Sequence, residues 1–202
     1  MNMGKRTDGP ISRHLNRRLS LPISRAIVRK GLPISPNLMS LISFSMGIVA
    51  GLLFALRLPL WGGLSAQLSS VLDGCDGEIA RLTGRESQRG AIFDAILDRL
   101  ADGVLILGMA IFAYADGGAR LWAIVFGFLA LIGSYGISYS SAIARAMGRE
   151  DYPRAVAGRD ARLFLVMLAG IASAITPIFM LFFLMLLALS TLIELALRIA
   201  RT

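Results

Sequence analysis

The chain has 202 residues, 55% of them hydrophobic, with a mean hydropathy of +0.67 and a formal net charge of +8. That much apolar surface cannot be hidden inside one small globule, which argues against a soluble domain and makes a bilayer the expected solvent. The positive charge falls between apolar runs rather than along one soluble face, so it suits membrane orientation and contact with headgroups or phosphates, and argues against a nucleic-acid partner.

Residues 1–9 are polar. From Pro10 to Lys30, Ile11, Leu15, Leu19, Ile23, Ile27 and Val28 recur at helical spacing, while Arg13, Arg17, Arg18, Arg25 and Arg29 take the other faces. This predicts an amphipathic helix lying on the membrane surface, within an N-terminal segment of residues 1–34. The basic start carries no signal-peptide pattern. Ser35-Pro36-Asn37 then opens a helix, and the run from Leu38 to Leu56 is long enough to span the roughly 30 Å of hydrocarbon in a bilayer.

Arg57, Pro59 and Gly62-Gly63 mark a turn, and five more spans are expected at 61–82, 90–115, 119–146, 160–176 and 178–198. Thr176-Pro177 separates the last two. The expected fold is an all-α integral membrane protein, with six transmembrane helices over 35–202 preceded by the amphipathic juxtamembrane helix. Arginines crowd the N-terminal segment, the 83–89 and 146–162 loops and the C-terminal tail, whereas the opposite loops hold only Arg57 and Arg120. By the positive-inside rule this is a multi-pass protein of the cell membrane with both termini in the cytoplasm. The single cysteine, Cys75, allows no intrachain disulfide.

Four carboxylates stand where a membrane segment should have none. Asp73 and Asp76 are three residues apart, and Asp94 and Asp98 four apart, so each pair shares a helix face. On insertion scales each mid-bilayer carboxylate costs about 2.5–3.5 kcal/mol, so four cost roughly 10 kcal/mol without compensation. Asp76 and Asp94 are equidistant in sequence from Arg85, so an antiparallel hairpin brings all four to similar depths, two or three turns inside the cytoplasmic surface. A divalent cation is the natural compensation. Oxygen ligands favour Mg²⁺, Mn²⁺ or Ca²⁺, and the stretch offers no histidine or second cysteine for zinc. Gly74, Gly77, Ala80 and Gly90 thin the acidic region so that a helix or ligand can approach. Arg81, one turn beyond Gly77, is either a phosphate ligand or a positive-inside anchor. Asp102, a further turn along, is read as a polar or packing partner, and His14 as an interfacial residue.

The stretch Asp73-x2-Asp76-Gly77-x2-Ala80-Arg81-x8-Gly90-x3-Asp94-x3-Asp98 resembles, without a substitution, the signature of the CDP-alcohol phosphotransferase family. The resemblance implies transfer of a phosphoalcohol group from a CDP-linked donor to an acceptor hydroxyl, with release of CMP. It implies that Asp73, Asp76, Asp94 and Asp98 hold metal, most simply two Mg²⁺ ions with Mn²⁺ as a substitute, and that Asp98 is also the general base. Asp73, Gly77, Ala80 and Arg81 would line the nucleotide site. A homodimer is implied as well, which the apolar later spans permit. Two-metal neutralisation of a diphosphate with in-line attack suits phosphoryl transfer on independent grounds.

Arg145, Arg149, Arg154, Arg159 and Arg162 cluster in and around the 146–162 loop. They are either topology signals or a receptor for an acceptor's own phosphate, with Arg154, Arg159 and Arg162 the candidates. Leu72–Leu82, Thr7–Arg13 and Asn16-Arg17 look similar to the branch that makes di-myo-inositol phosphate phosphate from CDP-inositol and inositol 1-phosphate. Many members of that branch carry a fused cytidylyltransferase domain, which these 202 residues do not contain. A separate cytidylyltransferase partner, or a different substrate, is therefore expected. Two rivals remain: a phospholipid synthase using CDP-diacylglycerol or CDP-archaeol with inositol phosphate, and a membrane ion or proton carrier. The second gives the Gly77-x2-Ala80-Arg81 spacing no task.

Overall fold

A computed structural model describes residues 16–116, 118–149 and 158–200. The expectations placed on Thr7–Leu15, Arg154 and Arg201 lie outside these residues. Seven helices follow one another: α1 (Arg17–Arg29), α2 (Pro36–Ala55), α3 (Pro59–Thr83), α4 (Gln88–Ala115), α5 (Arg120–Ala146), α6 (Arg159–Ile175) and α7 (Ile178–Ile199). Their limits follow local chemistry. Ser35 accepts a hydrogen bond from the Leu38 amide while Pro36 opens α2 without needing a donor. Thr176 is extended at φ −143°, ψ 118°, as a residue before proline prefers, and this separates α6 from α7 at the expected point.

Three helices, α2, α5 and α7, are long and apolar enough to cross a membrane. The six expected spans are therefore only partly matched by composition, for a physical reason. Helices α3 and α4 carry the acidic stretch, whose charges dilute the apolar residues around them, while α6 is only 17 residues long.

Close backbone crossings set the packing. A Cβ on Gly108 of α4 would collide with the Gly51 carbonyl of α2, and one on Gly63 of α3 would lie 2.9 Å from the Met167 carbonyl oxygen of α6. Without a strong hydrophobic drive between helices in lipid, such small-residue contacts let van der Waals packing hold them together. They fix α2 against α4, and α6 against α3. The main core runs between the helices through Phe54, Met109, Phe112, Met180 and Leu184. At the other end of the bundle Arg198 of α7 donates to Ile137 O at 3.3 Å and to Ser141 Oγ at 2.6 Å, tying α7 to α5.

Helix α1 is laid along α3 with its polar side inward. Asn16, Ser20 and Ser24 are buried, while Leu19 and Ile23 of the expected apolar stripe are 51% and 36% exposed and face away from the protein. Ile27 departs from that stripe and packs inside with Met39, Cys75 and Ile79.

Gly108→Val forces a branched side chain into the Gly51 backbone. Overpacking of this kind typically costs about 1–3 kcal/mol, and a backbone contact sits at the upper end. The variant should show a clearly lowered midpoint in thermal unfolding of the detergent-purified protein; an unchanged midpoint would mean that the α2–α4 crossing is loose.

Candidate active site

The α3–α4 hairpin is closed by short-range chemistry. Gly84 ends α3 at φ +64°, a conformation open to glycine, and Ser87 caps α4 by accepting from the Gly90 amide at 3.0 Å. The two acidic faces then meet. One carboxylate oxygen each from Asp73, Asp76 and Asp94 lies within 4.8 Å of the others. Ser40 of α2 donates to Asp76 Oδ2 at 2.5 Å, and the Gly77 amide donates to Asp76 Oδ1, which fixes that carboxylate's orientation. Three hard oxygen donors at this separation fit one divalent cation such as Mg²⁺ or Mn²⁺.

Asp98 stands beside this trio. Its Oδ1 is 2.8 Å from Arg159 Nη1 and its Oδ2 is 3.8 Å from Arg99 Nη2. The same Arg159 nitrogen lies 2.8 Å from Asp73 Oδ1, so one guanidinium from the start of α6 links α3 to α4. One turn on, Arg162 Nη2 donates to Asp102 Oδ2 at 3.2 Å. Of the three candidate acceptor arginines, Arg159 and Arg162 are thus brought to the acidic faces.

All of these groups except Asp102 line one cavity of about 1020 Å³. Gly77, Ala80 and Arg81 border it, as do Asn37 and Gly90. Arg99, Arg159 and Arg162 border it too, together with Ile92, Ile96, Leu100, Tyr135 and Tyr139. The carboxylates of Asp73, Asp76, Asp94 and Asp98 and the guanidiniums of Arg81, Arg99, Arg159 and Arg162 therefore share one enclosure. Cys75, between two of the acids in sequence, points away from them into the contact between α1 and α3.

Residues 33–197 match the family model described as CDP-alcohol phosphatidyltransferase. This chain belongs to the CDP-alcohol phosphatidyltransferase family. It is 42% identical over 183 residues to a protein of Thermococcus kodakarensis named bifunctional IPC transferase and DIPP synthase, covering 86% of this chain and 40% of that one. The chain thus spans about two fifths of the length of that relative. An archaetidylinositol phosphate synthase of Pyrococcus horikoshii is 33% identical, covering 71% of this chain and 73% of its own length. Among solved structures, phosphatidylinositol phosphate synthase of Mycobacterium tuberculosis with CDP-DAG bound superposes with a TM-score of 0.77 at 26% identity, over 91% of this chain and 92% of that one. The same enzyme in complex with manganese and citrate also gives a TM-score of 0.77, at 26% identity, over 90% of this chain and 87% of that one.

The family model begins at residue 33, so α1 precedes it, yet α1 walls a smaller polar cavity of about 130 Å³ against the aspartates. Sequence reasoning missed what holds it there. Glu78 is fully buried; it accepts from Ser20 Oγ at 2.8 Å and Ser24 Oγ at 2.7 Å, and lies 3.4 Å from Arg17 Nη1. Asn16 extends the contact, donating to Ser70 Oγ and accepting from Gln67 Nε2, both at 2.8 Å. The available signal was a further acid on α3, aligned with a serine pair spaced four apart.

Replacing Glu78 by Ala strands the Ser20 and Ser24 hydroxyls in that contact. Each unsatisfied buried group costs about 1–3 kcal/mol. Hydrogen exchange of the α1 amides should accelerate well beyond that of α4 in this variant; equal protection in both proteins would remove Glu78 as the anchor.

Proposed function

We propose that this chain transfers a phosphoalcohol group from a CDP-linked donor to the hydroxyl of a phosphorylated alcohol, releasing CMP, with CDP-inositol and inositol 1-phosphate as the pair that yields di-myo-inositol phosphate phosphate. The observation that carries this reading is one cavity bordered by the Asp73–Asp76–Asp94 cluster and by Arg81, Arg159 and Arg162, with Arg159 at Asp73 and Arg81 about two turns further along α3. The similarity to bifunctional IPC transferase and DIPP synthase supports the choice of substrates.

In this reading Asp73, Asp76 and Asp94, with Asp98 contributing, hold two divalent ions, Mg²⁺ or Mn²⁺. Bound there, the ions would neutralise the diphosphate and the charge that develops in transfer. Gly77 and Ala80 leave room for the cytidine diphosphate beside Asp73, and Arg81 meets its phosphates. Arg159 and Arg162, with Arg154 of the neighbouring segment, receive the acceptor's phosphate. Asp98 takes the proton of the acceptor hydroxyl. That oxygen bonds to the phosphorus bearing the donor alcohol as the bond from this phosphorus to CMP breaks. In-line positioning by fixed side chains is worth several powers of ten in such reactions.

The topology follows the same reading. At 1.5 Å per residue, α3 and α4 are roughly 37 and 42 Å long and α6 about 26 Å, so with α2, α5 and α7 they make six spans around an inward-facing polar site. The arginines then put the site and both termini in the cytoplasm. A cytidylyltransferase activity supplies the CDP-inositol.

A second reading has its own observation. Between α4 and α5 the cavity lining includes Ile92, Ile96, Leu100, Tyr135 and Tyr139, and the first three are more than half exposed, a surface suited to acyl or isoprenoid chains. A phospholipid synthase taking CDP-diacylglycerol or CDP-archaeol would use it.

The deciding experiment is CMP release by purified protein with Mg²⁺, inositol 1-phosphate and either CDP-inositol or a CDP-lipid. Turnover with CDP-inositol supports the first reading, and turnover with the lipid alone supports the second. Failure with both overturns the assigned substrates. Asp98→Asn should lower turnover by at least about a hundredfold, the lower range for a general base, while cytidine diphosphate still binds in calorimetry. Wild-type turnover in this variant would remove Asp98 from the base role.

A further inference from the structure

Asp102 lies one turn beyond Asp98 on the same face of α4 and is 6% exposed. Three guanidiniums converge on it. Arg159 Nε donates to Oδ1 at 3.3 Å, Arg162 Nη2 donates to Oδ2 at 3.2 Å, and Arg99 Nη2 lies 3.4 Å from Oδ2. Arg99, Arg159 and Arg162 all border the large cavity, whereas Asp102 does not; it sits behind them.

One carboxylate cannot neutralise three guanidiniums. Asp98 and Asp73 take part of the charge of Arg159, but Arg162, at 7% exposure, has only Asp102 within ion-pair distance among the described residues. Arg99 Nε, Arg162 Nε and Arg162 Nη1 are buried and have no hydrogen-bond partner among the described residues. Buried unpaired donors on a cation are expensive, and an oxyanion offsets that cost. Guanidiniums held at fixed angles also suit the oxygens of a phosphate better than mobile cations do.

We propose that Asp102 is a positioning residue that fixes Arg99, Arg159 and Arg162 as one receptor for a phosphomonoester on the acceptor alcohol. Arg99, which the sequence motif leaves without a task, is the third member of this receptor. A phosphomonoester carries about −1.5 to −2 charges near pH 7 and offers several oxygens to the donors of Arg99 and Arg162 that lack a partner among the described residues. A polyol lacking the phosphate leaves those donors unmatched. The proposal rests on the reading that Arg159 and Arg162 face the acceptor.

The test combines binding with kinetics. Calorimetry with inositol 1-phosphate, unphosphorylated inositol and inorganic phosphate gives affinities independent of turnover, and the KM values for donor and acceptor are read separately. Asp102→Asn should weaken inositol 1-phosphate and inorganic phosphate binding by about tenfold or more and raise the acceptor KM in parallel, with donor KM changed by less than about twofold. Asp102→Glu keeps the charge and should recover most of the loss. Phosphate binding unchanged in Asp102→Asn, with only thermal stability reduced, would overturn the proposal and leave Asp102 a structural counter-ion.

Arg159→Ala separates this failure from that of the underlying reading. If it raises the acceptor KM while Asp102→Asn does not, the positioning role alone fails. If it raises only the donor KM, the acceptor reading fails as well. Should Asp102→Asn not fold, Arg99→Gln removes one member of the receptor: weakened phosphate binding supports the proposal, and wild-type binding refutes it.

Discussion

The arrangement depends on one guanidinium. Arg159 Nη1 stands 2.8 Å from a carboxylate oxygen of Asp73 on α3 and 2.8 Å from one of Asp98 on α4, while its own backbone opens α6. Carboxylates brought this close in a weakly polar setting repel strongly, and breaking a buried ion pair by removing one partner typically costs about 3–5 kcal/mol. The arginine relieves the repulsion and joins three helices at the acidic faces. Backbone contact between α3 and α6 at Gly63 and Gly170 brings the start of α6 within reach, so packing and electrostatics require one another here.

The acidic site was legible in the sequence because its physics is local. Spacings of three and four put Asp73 with Asp76 and Asp94 with Asp98 whatever the tertiary fold, and a short turn forces the two faces together. Asp102 also matched its reading as a polar partner. The arginines were visible as residues, but which carboxylate each meets depends on how α6 docks, and no pattern within α6 records that. Arg99 was overlooked because it follows Asp98 directly and carries no motif position.

Two features resisted reading for different reasons. Length and hydropathy mark three helices as spans, because in α3 and α4 the charged residues offset the apolar ones around them and α6 has only 17 residues. Helix α1 shows the reverse difficulty. Its apolar residues are prominent, but the face that binds the protein is the modest one, Asn16, Ser20 and Ser24, whose partners Gln67, Ser70 and Glu78 lie more than fifty residues away. A periodicity argument assigns the apolar face to whatever is greasiest nearby. In a membrane that is lipid as readily as protein.

The paired grip on α3 has a mechanical consequence. Asp76 is held by Ser40 from α2, and Glu78 by the serines of α1. Two residues along a helix correspond to a rotation of about 200°, so these anchors engage nearly opposite flanks. Turning α3 about its own axis in either direction strains both at once. The helix behaves like a keyed shaft, free neither to roll nor to slip by a turn, and the angle at which its aspartates meet α4 is built into the scaffold before any ligand arrives.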